Sequence, residues 1–78
     1  MQLSIISPDE ELYAGEVSYV GVPGIDGSMG ILNNHAPLIT TLASGQVLVR
    51  DASGKQVTFD VKGGVLEVMK NKVIILAE

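Results

Sequence analysis

Apolar residues recur at every second position through much of the C-terminal half of the chain. In KQVTFDVK, Val57, Phe59 and Val61 alternate with polar or charged residues. Side chains of a β-strand point to opposite faces in turn, so this alternation predicts a strand with one buried face. No window carries apolar residues at i, i+3, i+4 and i+7 behind a capping box, and no helix of any length is predicted. The period of two therefore restricts the chain to an all-β fold.

Glycine, asparagine and proline divide the sequence into short segments of this kind. GQVLVRD and KQVTFDVK are joined by DASGK, in which Gly54 can take a positive φ. VLEVMK and KVIILA meet at Asn71, a residue type that tolerates the left-handed conformation. LSIIS, ELYAG and EVSYVGV are three further strand candidates nearer the N-terminus. Many short strands at this spacing predict an antiparallel sandwich or barrel.

Size and composition exclude several functional classes. The chain has 78 residues, and we expect one domain over residues 1–78. Hydrophobic residues make up 46% of it, too many for a disordered tail. Five Lys/Arg against nine Asp/Glu give a net charge of −4, which is opposite to the positive footprint of a nucleic-acid-binding protein. The chain has no cysteine, so it has neither a disulfide framework nor a thiolate metal site.

The sequence contains no segment of membrane-spanning character. Its longest uninterrupted apolar run, Val73 to Ala77, is far shorter than the ~20 residues of a transmembrane helix. The N-terminal MQLSIISPDEE lacks the basic region and the long apolar core of a signal peptide. We expect a soluble chain that reaches a membrane only through a partner.

The only histidine, His35, lies in GSMGILNNHAPLIT beside evenly spaced glycines. A histidine base needs a nearby nucleophile, and the serines and threonines are scattered outside any nucleophile-elbow motif. A metal site needs a second ligand, and Asp26 is the only nearby acid. GIDGSMG is neither a dinucleotide nor a phosphate motif, because no helix begins at its glycines. We interpret His35 as a loop histidine, fixed in direction ahead of Pro37, that bonds backbone groups or a partner.

A second interpretation concerns Met69-Lys70 in VMKNKV. Biotin- and lipoyl-carrier domains are all-β, of similar length, and carry the modified lysine on a hairpin, commonly after methionine. In those domains the hairpin lies at the centre of two similar halves, whereas only eight residues follow Lys70. An ordinary surface lysine is favoured, and a carrier domain with Lys70 as the modified residue is the alternative hypothesis.

Three segments in series carry a more specific pattern: AGEVSYVGVPGIDGSMGIL, HAPLITTLASG and GGVLEVMKNKVIILAE. Together they resemble the N-terminal β domain of the epsilon subunit of F-type ATP synthase. That family typically has Gly-Glu-Val, a glycine-spaced loop ending in Gly-Ile-Leu, then His-Ala-Pro-Leu, and finally Gly-Gly-x-Leu-Glu-Val. Order and spacing hold across essentially the whole chain. The resemblance implies a two-sheet antiparallel β-sandwich of about ten short strands.

The resemblance also implies a role without catalysis and without a cofactor. In this family the sandwich sits at the foot of the central stalk, against the gamma subunit and the ring of membrane c subunits. The chain is thus expected to be monomeric in isolation and, within the complex, peripheral on the cytoplasmic side of a bacterial inner membrane. Many members continue into two helices that can bind ATP and inhibit hydrolysis. The sequence ends at Glu78, so neither activity is expected of it.

The contact residues of the family correspond to individual positions of this sequence. The resemblance places Ser7, His35 and Thr40 near the gamma subunit. It places residues 28–34 in a loop that faces the c ring, where apolar side chains and asparagine amides offer contacts without a buried charge. Position 28 is commonly acidic in the family and is Ser28 here, so Asp26 is the candidate to replace that acid. The expected c-ring-facing residues are Asp26, Ser28, Met29, Gly30, Ile31, Leu32, Asn33 and Asn34.

Overall fold

The computed structural model describes residues 1–78 and contains eight β-strands. They are β1 (Gln2–Ile6), β2 (Glu11–Gly24), β3 (Gly27–Leu32), β4 (Leu38–Leu42), β5 (Gly45–Asp51), β6 (Gln56–Val61), β7 (Gly64–Met69) and β8 (Lys72–Ala77). The predicted all-β sandwich is confirmed, with eight strands instead of about ten. ELYAG and EVSYVGV, expected as two strands, form the single 14-residue strand β2. The structure contains no helix long and apolar enough to cross a membrane.

Strand β2 joins the two layers of the sandwich. Its N-terminal half pairs with β1, with Ile5 opposite Tyr13. Its C-terminal half pairs with β3 along one edge and β5 along the other, so that Val20 lies opposite both Ile31 and Val49. The first layer is therefore β2–β1–β8–β7–β4, and the second layer is β6–β5–β2–β3.

One strand pair departs from the antiparallel prediction. β1 and β8 are parallel, from Gln2 opposite Lys72 to Ile6 opposite Leu76. Alternation of apolar residues is the same whichever direction a partner strand runs, so the pattern could not reveal this pairing. The two ends of the chain are brought together inside the first layer.

The core lies between the two layers and consists of one cluster of buried apolar side chains. Val61 of β6 belongs to it, while Val57 and Phe59 are partly buried and pack against it, as the alternation predicts. The Phe59 ring meets that of Tyr13 edge to face, with centroids 5.9 Å apart. Burying a Val, Leu or Ile side chain contributes about 1.5–3 kcal/mol. The cluster comprises Met1, Leu3, Ile5, Val17, Val20, Val22, Ile31, Leu42, Val47, Val49, Val61, Leu66, Val68, Val73, Ile75 and Ala77.

Two hairpin turns follow the turn chemistry of the sequence. Between β7 and β8, Lys70 and Asn71 take φ values of 51° and 60°, as the central residues of a type I′ turn do. Between β5 and β6, Asp51 Oδ1 accepts hydrogen bonds from the Ser53 and Lys55 amides, at 2.9 and 3.0 Å, and from Ser53 Oγ at 2.7 Å. These hydrogen bonds hold the pKa of the Asp51 carboxyl below its usual value, and the bond from the Ser53 hydroxyl has the largest effect.

Candidate protein-interaction site

The connection between β3 and β4 holds the histidine. His35 is half-buried, and its Nδ1 lies 2.7 Å from the Ala36 carbonyl oxygen. Because a carbonyl oxygen only accepts, Nδ1 carries the proton and Nε2 remains for another partner. The Asn34 amide donates to Asn71 Oδ1 at 2.8 Å, which ties this connection to the β7–β8 turn. His35 thus lies in a loop and bonds a backbone group, as the sequence predicts.

The amino terminus lies against the same connection. Met1 is buried, and its ammonium donates to the Val17 carbonyl oxygen at 3.0 Å and to Asn33 Oδ1 at 2.6 Å. A carboxylate oxygen of Glu16 lies 2.5 Å from the same ammonium. A buried ammonium is costly unless each proton finds an acceptor, and here three acceptors surround it. The side-chain oxygen of Asn33, expected to face a partner, is used inside the chain.

Residues 28–32, expected in a loop, form most of strand β3. Pairing with β2 makes their side chains alternate between the core and the surface. Ile31 is fully buried, and Met29 is half-buried against the core. The expectation that Ile31 offers a contact surface is therefore wrong, because the strand turns it inward. Leu32, at 61% exposure, and the exposed Ser28 face outward.

Gly30 forms part of a platform under an aromatic ring. A Cβ at Gly30 would lie 2.8 Å from Tyr19 Oη, and one at its cross-strand partner Gly21 would lie 3.1 Å from the same atom. The Arg50 guanidinium carbon lies 5.3 Å from the Tyr19 ring centroid, within cation–π range. Gly30 therefore accommodates Tyr19, while Gly27, at φ 129°, closes the β2–β3 turn beside the exposed Asp26.

An open groove of about 420 Å³ lies beside Tyr19 on the outer face of the second layer. Apart from the Tyr19 phenol, its lining contains no ionisable side chain. It therefore offers no pair of groups for acid–base catalysis. Over the whole chain, no three His, Cys, Asp or Glu side chains come together to hold a metal ion. The groove is lined by Tyr19, Gly21, Val22, Pro23, Ser28, Met29, Gly30, Gln46 and Leu48.

Ser7, His35 and Thr40 are not brought together within the chain. Ser7 follows the C-terminal end of β1, where its Oγ bonds the carbonyl and the amide of Glu10 at 3.1 Å each. His35 lies near the β7–β8 turn, at the opposite end of the first layer. The five residues of β1 between these ends span ~17 Å. Thr40 lies opposite the buried Leu66, so its side chain is on the inner side of that layer.

The outer face of the first layer is unusually apolar. By register, Ile6, Leu76 and Val65 lie side by side across β1, β8 and β7, and they are 37%, 51% and 39% exposed. Ile39 of β4 and Met69 of β7 lie on the same face, at 67% and 46% exposure. We call these five residues the apolar outer face. Glu67 of β7 lies on this face too, opposite Ile39, so one carboxylate interrupts the apolar surface. A sheet that faces water normally carries mostly polar side chains, and a group of exposed apolar side chains marks an interaction site.

Lys70, the residue of the carrier hypothesis, is an exposed turn residue at the tip of the β7–β8 hairpin. The strands that it joins belong to the first layer, whose other members all lie within the first 42 residues. A hairpin placed between two similar halves, as in carrier domains, is not the arrangement of this fold.

All 78 residues match the protein family described as ATP synthase, Delta/Epsilon chain, beta-sandwich domain. The ATP synthase epsilon chain of Caulobacter vibrioides is 44% identical over 78 residues, which are 100% of this chain and 90% of that one. The ATP synthase epsilon chain of Dichelobacter nodosus is 44% identical over 77 residues, which are 99% of this chain and 54% of that one. The chain thus spans most of the first relative and about half of the second.

Solved structures with the same fold come from ATP synthases. A chain in a cryo-EM structure of the Euglena gracilis mitochondrial ATP synthase, OSCP/F1/c-ring, superposes with a TM-score of 0.91 at 26% identity. The match covers 96% of this chain and 48% of that one. A chain in the central stalk/c-ring structure of the Tetrahymena thermophila enzyme gives a TM-score of 0.83 over 99% of this chain and 62% of that one. At 20% identity, this second likeness supports the fold alone.

Proposed function

The chain belongs to the family of ATP synthase delta/epsilon β-sandwich domains, and from this membership we propose that it is a non-catalytic subunit of the central stalk. In this role it binds the gamma subunit and the membrane c ring, and it supports the coupling of ion flow to ATP synthesis. The relatives named above are epsilon chains, and the Euglena structure contains a c-ring. The family match over the whole chain gives no support to the carrier-domain alternative with Lys70.

The observation that carries this proposal is the apolar outer face. Five large apolar side chains lie on one side of the first layer, where each is more than a third exposed. Covering such side chains is favourable in proportion to the apolar area removed from water. A partner surface that covers the face therefore supplies binding energy without any rearrangement of the sandwich. We assign this face to the gamma subunit.

The family's gamma-contact positions fit around that face. Ser7 directly follows Ile6 at one end of the first layer, and His35 lies at the other end, near Met69 and the β7–β8 turn. Thr40 lies on β4, at the edge of the layer. An interface over the outer face would reach Ser7 and His35, and it would reach Thr40, whose side chain is on the inner side of the layer, only by wrapping around the β4 edge. His35 would contribute its free Nε2 as a hydrogen-bonding group.

The c-ring contact is proposed for the exposed residues around β3. Asp26 and Ser28 stand at one end of the strand, and Leu32 and Asn34 stand at the other. Asp26 would supply the acid that the family commonly has at position 28, because its carboxylate is exposed at the β2–β3 turn. Through this contact the chain would be held on the cytoplasmic side of a bacterial inner membrane.

Gel filtration of the chain with a separately folded gamma subunit tests the proposal. We expect the two proteins to co-elute as one complex at micromolar concentration, because the apolar outer face is already formed in the free chain. Two separate peaks, with both proteins shown to be folded by circular dichroism, would contradict the proposed function.

A further inference from the structure

Strand β4 leaves the N-terminal part of one edge unpaired. Along its other edge it pairs with β7 over its whole length, from Leu38 opposite Val68 to Leu42 opposite Gly64. On the partly unpaired edge it pairs with β2 only at its C-terminal end, where Gly24 lies opposite Leu42 and backbone hydrogen bonds join Ile25 to Thr41 and Ala43 to Pro23. β3 and β4 follow each other in sequence but do not pair. The edge of the first layer is therefore open from Leu38 to Thr40.

The backbone of Ile39 faces this open edge. The Ile25 amide donates to the Thr41 carbonyl oxygen from the β2 side at 3.2 Å, so Thr41 points away from β7. Residues two apart on a strand direct their backbone groups to the same edge, so Ile39 points away from β7 as well. No strand partner lies opposite Ile39 on that side. Its N–H and C=O are available to another chain.

The β4 edge carries no charged side chain, and the proline that limits strand pairing there, Pro37, lies just before the strand. Proteins protect free edges with charged side chains, proline or bulges. The opposite edge of the sheet, β6, has such protection: it contains Asp60 and is flanked by Lys55 and Lys62. β4 is LITTL, and the whole stretch from Gly27 to Val49 contains no Asp, Glu, Lys or Arg. An edge of β-branched, uncharged residues is a template for a further strand.

Ile39 belongs both to the open edge, through its backbone, and to the apolar outer face, through its side chain. At 67%, it is the most exposed of the large hydrophobic side chains. A strand added beside β4 would place every second side chain on the same face as Ile39 and Val65. β4 itself carries no charge, and Glu67, opposite Ile39, lies one strand further from the added strand. The strand that matches β4 best therefore has no charged residue at those positions.

We propose that β4 binds an extended, uncharged segment of the stalk partner as an additional β-strand, through the backbone of Ile39. Main-chain hydrogen bonds supply the attachment, and alternate apolar side chains of the segment cover Ile39 and its neighbours. This inference rests on the proposed function, since the segment belongs to the protein that covers the apolar outer face. It specifies a second kind of contact with that protein, which is strand pairing at the β4 edge in addition to packing on the apolar outer face.

Proline variants at two free edges test the proposal. Ile39→Pro removes the outward N–H while leaving the β4–β7 bonds in place, since proline is accepted on edge strands. Ile39→Thr keeps the N–H and the β-branched shape but weakens the apolar contact. Thr58→Pro is the matched control. The Asp51 amide donates to the Lys55 carbonyl oxygen, so Lys55 and every second residue after it face β5, and Thr58 directs its N–H to the free edge of β6. With the gamma subunit, we expect Ile39→Pro to lose at least 10-fold more affinity than Ile39→Thr, and Thr58→Pro to bind like the wild type.

Amide hydrogen exchange on the wild-type complex tests the same point without a variant. We expect the Ile39 amide to exchange at least 10-fold more slowly in the complex than in the free chain, while the Thr58 amide is unchanged. A complex in which the Ile39 amide exchanges as in the free chain would overturn the strand-pairing inference and leave the proposed function intact. If no complex forms with gamma, both fail.

Discussion

The Met1 ammonium lies 2.6 Å from Asn33 Oδ1, although 32 positions separate the two residues in the chain. This contact joins the amino terminus to the turn that leads into His35. The second tie on that turn, from the Asn34 amide to Asn71, comes from the C-terminal hairpin. Both ends of the sequence therefore fix the connection that carries the histidine.

Asn33→Ala is expected to destabilise the fold by about 1–3 kcal/mol, because it leaves a buried ammonium proton without its acceptor. Asn33→Asp keeps an oxygen in place and is the matched control, expected to remain close to the wild type or above it. Urea unfolding of the three proteins gives the comparison. A free energy of unfolding for Asn33→Ala within 0.5 kcal/mol of the wild type, roughly the spread of neutral surface changes, would show that the contact contributes little.

Ile31 and Leu32 are neighbours with opposite roles. Ile31→Ala removes a fully buried side chain and is expected to cost about 2–5 kcal/mol. Leu32→Ala removes a side chain that is 61% exposed and should change stability by about 0.5 kcal/mol or less. Thermal and urea unfolding measure both. Equal effects at the two positions would contradict the burial pattern of β3.

Gly30→Ala should be destabilising only while Tyr19 is present. The new methyl group would lie 2.8 Å from Tyr19 Oη, so the ring must leave its place between the glycine platform and Arg50. We expect a cost of about 1–3 kcal/mol, the usual range for overpacking. In a Tyr19→Ala background the same change should be nearly neutral. A double-mutant cycle without a coupling energy would show that the ring adapts freely.

Asp51→Asn tests the charge at the β5–β6 turn. The hydrogen bonds from Ser53 and Lys55 hold the pKa of Asp51 below its usual value of 3.8. A carboxyl whose folded-state pKa is lowered adds stability above its unfolded-state pKa, and this addition is lost as the pH falls through the folded-state pKa. The wild type should therefore exceed Asp51→Asn in stability at pH 7, and the difference should shrink below about pH 4. A difference that stays constant from pH 7 to pH 2 would contradict the assignment.

Much of the fold follows from local sequence. Alternation identified β6 and its inward face, and Asn71 and Gly54 lie in their hairpin turns with φ values of 60° and 93°. The continuity of β2 does not follow from local sequence, because Gly15 ends the segment ELYAG and yet is a paired residue within the strand. A glycine in an extended segment can lie in a turn or inside a strand, and the partner strands determine which.

The contact residues were predicted less completely than the fold. His35 is placed in a loop by Pro37, which is a local effect of sequence. The inward direction of Ile31 depends on the pairing of β3 with β2, and the engagement of Asn33 depends on a terminus 32 positions away. The apolar outer face likewise exists only because β1 and β8, from opposite ends of the chain, become neighbours. Such long-range contacts cannot be predicted from a local sequence pattern.

The most direct test of the central claim is the affinity of the gamma subunit for two charge-introducing variants, measured by calorimetry. Leu76→Lys places a charge in the middle of the apolar outer face, and Thr58→Lys places the same charge at an exposed position of β6. If the chain is a stalk subunit held by that face, Leu76→Lys weakens binding at least 10-fold and Thr58→Lys leaves it unchanged, with both variants as stable as the wild type. Equal affinity of all three proteins for gamma, or no binding by the wild type, would contradict the account.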